Sequence, residues 1–243
     1  MSECCKTGFM WSGNPAGEET TLGRNKAYVT GSNKDVAIMV IADIYGWTLP
    51  NLRLLADHFA KEADATAYLP DFFDGEVVTP EMFEDPEKRK SFDMMAFLDR
   101  HSKDIRGPEI FECAKALRSE FKKVAVIGYC YGGWGCFQLG AKGNDLVDCI
   151  SMAHPSGLTE DEIKNVGVPV QIMAPETDPV FTPELKEFAN KTIPTLGVEY
   201  DYQYFPGLVH GFAVKGDQNN ATQKKGLERA KNAAVYWFRQ YLH

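Results

Sequence analysis

No apolar run in the 243-residue chain approaches the length of a membrane span, so a spanning helix is not expected. Positive charge is in short supply. Against 34 Asp and Glu stand 26 Lys and Arg, a net charge of −8, and no basic stripe gathers them, which argues against nucleic acid as a partner. The opening Met1-Ser2-Glu3-Cys4-Cys5-Lys6 lacks the apolar stretch of a secretory signal, so a cytoplasmic protein is expected. In that reducing setting the six cysteines should remain thiols. Cys4 and Cys5 are too close for an easy mutual bridge, and no cysteine spacing resembles a zinc site. Neither a metal nor an organic cofactor is expected. Repeats and linkers are also missing, so one domain is the default.

What is present is a globular composition, 44% hydrophobic, enough for one large core. Residues 1–25 read as a leader or edge segment, with Asn14-Pro15-Ala16-Gly17 as a turn, and residues 26–243 as the domain. Short strands are expected over 26–30, 36–42, 65–69, 124–127, 148–153, 168–174 and 198–205. Several are apolar throughout, which suits a parallel sheet covered on both faces. Helical spacing follows at 49–62, at 183–190 and over the long stretch 218–242. Residues 80–121 read as two helices broken near Gly107-Pro108. Strand and helix alternate, giving a single doubly wound α/β domain.

The sharpest local signal is Val124-Ala125-Val126-Ile127-Gly128-Tyr129-Cys130-Tyr131-Gly132-Gly133. A buried strand runs into G-x-C-x-G, the nucleophile-elbow pattern with cysteine in the nucleophile's place. So tight a strand-to-helix turn leaves no room for a Cβ beside the nucleophile. The sulfur would then sit above a helix N-terminus, where the dipole and free N–H groups favour a thiolate and an oxyanion. The plain alternative is a small buried thiol.

Further along, Asp178 and His210 each follow a predicted strand, where doubly wound sheets collect functional groups. The order Cys130, Asp178, His210 is that of nucleophile, acid and base in an α/β-hydrolase. His210 would take the thiol proton, and Asp178 would hold the imidazole in one tautomer. Singly, Asp178 before Pro179 also reads as a turn or cap, and His210 as a surface histidine. Aromatic residues near strand ends (Trp47, Phe72, Phe73, Tyr131, Trp134 and Phe212) are candidate pocket walls, though many aromatics must be core. His154-Pro155-Ser156 follows another strand and reads equally as part of the site or as a structural turn. His58 and His101 read as helix-surface residues.

The Cys-Cys opening, Gly128-Tyr129-Cys130-Tyr131-Gly132-Gly133 and His210-Gly211-Phe212 together resemble the dienelactone hydrolase (carboxymethylenebutenolidase-like) family, in its fungal-type members. The resemblance spans nearly the whole chain. It implies a small α/β-hydrolase fold without a large lid, a Cys130–Asp178–His210 triad, and an oxyanion hole from the backbone N–H groups of Tyr131 and Ile44. It also implies a thiol-tuning carboxylate, a Glu in the family, at the place of Asp43. The family's substrate-binding Arg, four residues after the histidine, is Val214 here. Lys215 is adjacent and is expected to point elsewhere, so a neutral or differently charged ester or lactone is favoured over dienelactone. The expected activity is hydrolysis of small esters or lactones through a thioacyl-enzyme, by a monomer or homodimer. A thioesterase, a pathway-specific lactone hydrolase and a non-catalytic binding module are the alternatives.

Overall fold

Six consecutive apolar residues, Val36–Ile41, form a strand buried along its whole length, and the architecture is built outward from it. The structure, a computed structural model, describes residues 11–80, 82, 87 and 92–243; Cys4 and Cys5 lie outside them. Among the described residues eight strands make one sheet: β1 (Glu18–Leu22), β2 (Asn25–Thr30), β3 (Val36–Ile41), β4 (Thr66–Pro70), β5 (Lys123–Tyr129), β6 (Cys149–Ala153), β7 (Val170–Thr177) and β8 (Tyr200–Val209). The α-helices that lie wholly among the described residues are α1 (Pro50–Glu62), α2 (Met94–Arg100), α3 (Lys103–Glu120), α4 (Gly132–Leu139), α5 (Glu160–Lys164), α6 (Pro183–Thr192), α7 (Phe212–Lys215) and α8 (Ala221–Leu242).

The sheet order is β1-β2-β4-β3-β5-β6-β7-β8. From β4 to β8 every neighbouring pair is parallel, while β2 runs antiparallel to both β1 and β4. After β3 the chain turns towards β4 on one side, and after β5 it turns towards β6 on the other. The carboxyl ends of β3 and β5 therefore diverge, which opens a crevice at this switch point. Asp43 and Ile44 follow β3, and Cys130 follows β5.

The sheet is covered by helices whose apolar spacing matches their packing. In α1 the buried positions Leu52, Leu55, Ala56, Phe59 and Ala60 repeat at three and four residues and face β4 and α8. Phe59 meets Phe238 of α8 edge to face, ring centroids 5.6 Å apart. Helix α4 packs on β3, β5 and β6, with α3 beside it.

Three local expectations are corrected. The helix break expected at Gly107-Pro108 falls at His101-Ser102, and α3 runs through Pro108. Pro108 is the sixth residue of that helix, where its ring forfeits one backbone hydrogen bond and the later turns continue. The other predicted helix of that region falls partly outside the described residues. His101 is not on a helix surface: it is 2% exposed, held between Glu76 and Arg106 and packed edge-on against Phe97 and Phe73. His58 does lie on the surface, bonded to Glu62 one turn on. Finally, 14–17 is not a self-contained turn. Its backbone is held from outside, Ala16 N–H donating to Asp57 and Gly17 N–H to the Tyr28 hydroxyl.

Candidate active site

Cys130 stands at the end of β5 with φ +47°, a left-handed conformation that costs a non-glycine residue of order 1–3 kcal/mol. Glycine clears the space around it. A Cβ on Gly128 would come 2.3 Å from the Gly132 carbonyl oxygen, and one on Gly132 would come 2.3 Å from that of Ile41. The sharp turn from strand to helix thus needs both glycines. Cys130 is half-buried, so its sulfur is reachable, whereas Cys113, Cys136 and Cys149 are free but buried.

His210 follows β8 and Asp178 follows β7, as the strand alternation predicted. Asp178 ends its strand in a turn that hands one carboxylate oxygen to the N–H groups of Val180 and Phe181, at 2.9 and 3.0 Å. The same carboxylate faces His210 Nδ1 at 2.9 Å, both side chains almost wholly buried. Nδ1–H donating to a fixed carboxylate leaves Nε2 as the basic nitrogen. Nε2 is buried and has no hydrogen-bond partner among the described residues. Burial by itself disfavours the imidazolium. The Cys130 sulfur and the Asp178 carboxylate overcome that, and the His210 pKa lies well above its ordinary value.

Asp43 is buried, and its carboxyl is pushed up to about 6, chiefly by burial. The Lys215 charge, the Tyr45 N–H and His210 pull in the other direction without cancelling it. Asp43 Oδ1 accepts from the Tyr45 N–H at 3.1 Å, so the carboxyl turns back on its own loop. The sulfur meets Ser156 Oγ at 3.6 Å, and its interaction with His210 raises the histidine's pKa. Ile44 lies in the tight loop after Asp43, and Tyr131 is the residue before the first turn of α4. Tyr131 is held by its hydroxyl, which donates to the His101 carbonyl at 2.6 Å.

The sequence pattern of the dienelactone hydrolase family matches residues 26–242. The chain belongs to the dienelactone hydrolase family. Its curated relatives include the hydrolase pyvD of Aspergillus violaceofuscus, 31% identical over 99% of this chain and 97% of that one. The human carboxymethylenebutenolidase homolog is 28% identical over 98% of this chain and 96% of its own. A putative dienelactone hydrolase from Klebsiella pneumoniae shares the fold, with a TM-score of 0.72 at 15% identity over 92% of this chain and 98% of that one. Membership places the chain among ester and lactone hydrolases with the α/β-hydrolase fold.

The remaining residues singled out in this dienelactone hydrolase-family chain divide into two groups. Phe212 lines a small cleft of about 130 Å³ beside His210, with Lys215 on its wall. His154 also reaches the site: its ring centroid is 4.9 Å from that of His210 and 5.6 Å from that of Phe212. Trp47, Phe72 and Trp134 are buried. Arg53 covers the Trp47 ring, its guanidinium 4.8 Å from the centroid, and Trp134 stands edge-on to Tyr131. Val214 belongs to the core at 0% exposure, its carbonyl accepting from Asn51, so it does not face a ligand.

Lys215 corrects an expectation, and Ser156 is a site residue to which the sequence assigns no role. Lys215 does not point away. Its ammonium lies 5.2 Å from the Tyr45 ring centroid, beside Gly211, and its charge acts on Asp43 and His154. In a four-residue helix capped by Gly211 at φ +90°, the last residue folds back over the cap. Ser156 ends the His154-Pro155-Ser156 stretch, and nothing in its spacing ties it to Cys130. Among the described residues no group of three or more His, Cys, Asp or Glu is placed to hold a metal ion, and no helix is long and apolar enough to cross a membrane.

Proposed function

We propose that this chain is a cysteine-nucleophile hydrolase of small ester or lactone substrates, acting through a thioacyl-enzyme. One observation carries the reading. A buried Asp178–His210 pair leaves a basic, unpartnered Nε2 in the electrostatic reach of a cysteine held at a strained elbow.

The chemistry follows from that geometry. Nε2 takes the Cys130 thiol proton, and Asp178 stabilises the imidazolium that forms. The thiolate attacks the carbonyl carbon, and the oxyanion is held by the backbone N–H groups of Tyr131 and Ile44. As the tetrahedral intermediate collapses, His210 returns its proton to the leaving alkoxide. A lactone would stay tethered through its acyl part. His210 then removes a proton from water, the hydroxide adds to the thioester, and the thiolate leaves. The scheme asks for no metal or organic cofactor.

Lys215 bears on substrate choice. A half-buried ammonium on the wall of the cleft beside His210 favours substrates with a carboxylate or another anionic group on that side. Thioesters fit the same site, and a substrate panel separates the two classes. The reading also carries a cytoplasmic setting in which the thiols stay reduced, consistent with the free described cysteines.

The test is product release and intact mass with aryl esters, enol lactones and thioesters, run on wild type and Cys130→Ala. Turnover in the wild type, lost in the variant, is the expected result. Turnover retained by Cys130→Ala would exclude the sulfur as nucleophile. Neither product nor adduct in the wild type would favour a binding module.

A further inference from the structure

The end of β6 and the turn after it grip Cys130 at three atoms. Cys130 N–H donates to the Ala153 carbonyl at 3.3 Å, and the Ser156 N–H donates to the Cys130 carbonyl at 2.8 Å. The third contact is the side chain, with the Cys130 thiol donating to Ser156 Oγ at 3.6 Å. The turn is itself fixed. His154 holds φ +40°, its N–H donates to Met173 of β7, and Pro155 lies so close to α4 that a Cβ on Gly133 would come 2.3 Å from its Cβ. The hydroxyl is therefore delivered by a rigid element, and Cys130 is its only side-chain partner among the described residues.

We propose that the Ser156 hydroxyl is a further catalytic group that hydrogen-bonds the Cys130 sulfur in both its protonated and its ionised state. The proposal rests on Cys130 being the nucleophile. In the thiol form S–H donates to Oγ. When the S–H bond breaks, its proton passes to His210 Nε2 and the electron pair stays on sulfur. The Ser156 hydroxyl turns about its C–O bond and donates its own hydrogen to the thiolate, losing no proton in the cycle. Ser156 thereby meets the sulfur where the Asp43 carboxyl, bonded to the Tyr45 N–H, does not.

The other titratable or charged groups around the site are His210 with Asp178 behind it, His154 on the same turn, Asp43 after β3, Lys215 on α7, and Lys103 of α3, which lies beside Gly157 and pairs with Glu162. Ser156 substitutions leave each of these in place. A hydroxyl that donates to the thiolate favours the ionised form, so its removal should make the sulfur harder to ionise.

The experiment follows iodoacetamide alkylation on the peptide that carries Cys130, against pH, in wild type, Ser156→Ala and Ser156→Thr. The alanine variant should move the midpoint of the profile up by about one pH unit and slow alkylation at neutral pH several-fold. Threonine, which keeps the hydroxyl, should stay near wild type. An alanine profile that overlays the wild type overturns the proposal. So does a threonine profile shifted as far as alanine's, since packing and not the hydroxyl would then be responsible. Turnover by Cys130→Ala, measured alongside, tests the nucleophile itself. If it persists, the hydrolase mechanism fails, while the alkylation profiles still report on Ser156 and the sulfur.

Discussion

The rings of His154 and His210 meet edge to face, centroids 4.9 Å apart, and carry opposite preferences for a proton. Against the cost of burial, the Cys130 sulfur and Asp178 raise the His210 pKa, while burial, His210 and Lys215 push His154 well below its ordinary value. Two adjacent imidazoles are thus separated into a base that accepts a proton and a neighbour that stays neutral.

That separation sets a pH dependence of stability. A histidine with a depressed folded-state pKa contributes fully above its unfolded value, about 6.5, and destabilises as pH falls below it. His154→Phe should remove this loss. Its unfolding free energy from urea titration, relative to wild type, should rise as pH drops from 7 to 5, by up to about 1.4 kcal/mol for each pH unit. A constant difference between the two would show that His154 ionises as freely folded as unfolded.

Asp43 has the reverse sign. Its pKa rises from 3.8 to about 6 on folding, so the folded state binds the extra proton between those values, and stability falls as pH climbs through that window. Above it the cost of the buried carboxylate persists, about 3 kcal/mol. Asp43→Asn, which can still accept from the Tyr45 N–H, should therefore gain stability at pH 8 and little at pH 4. Equal gains at both pH values in denaturant titrations would contradict this.

Asp178→Asn leaves a side chain of the same shape facing His210 Nδ1 but removes the charge that holds the imidazolium. A fall in kcat of roughly a hundredfold or more is expected, with KM little changed. A loss confined to KM would make Asp178 a binding residue instead.

Lys215→Met should cost a carboxylate-bearing lactone about tenfold in kcat/KM and leave a neutral aryl ester nearly untouched. Equal losses on both substrates would assign Lys215 to the structure of the 211–216 turn. The comparison needs only steady-state rates on the two substrates.

The sheet and the elbow were legible because each rests on a local rule. Apolar runs such as Val36–Ile41 mark strands buried on both faces, and Gly128 and Gly132 mark a turn that admits no Cβ. Asp178 and His210 were legible by their place after successive strands. Three other features depend on distant neighbours. His101 looked like a surface residue because Glu76, Arg106 and Phe73 reach it only through tertiary packing. Lys215 and Val214 exchanged expected directions because a single turn of helix, begun by Gly211 at φ +90°, decides which of them faces the cleft. Ser156 meets Cys130 only because β5 and β6 are adjacent in the sheet.

Asn51 ties together parts of the chain that the sheet does not join. Its side chain accepts from the Trp11 N–H at 2.9 Å and donates to the Val214 carbonyl at 2.7 Å, while the Trp11 indole donates to Gly216. The turn that carries Phe212 and Lys215 is therefore latched from behind by a tryptophan some two hundred positions away in sequence. A chain shortened past Trp11 would keep all eight strands yet release that latch. Trp11 thereby braces from behind a wall of the cleft that it does not itself line.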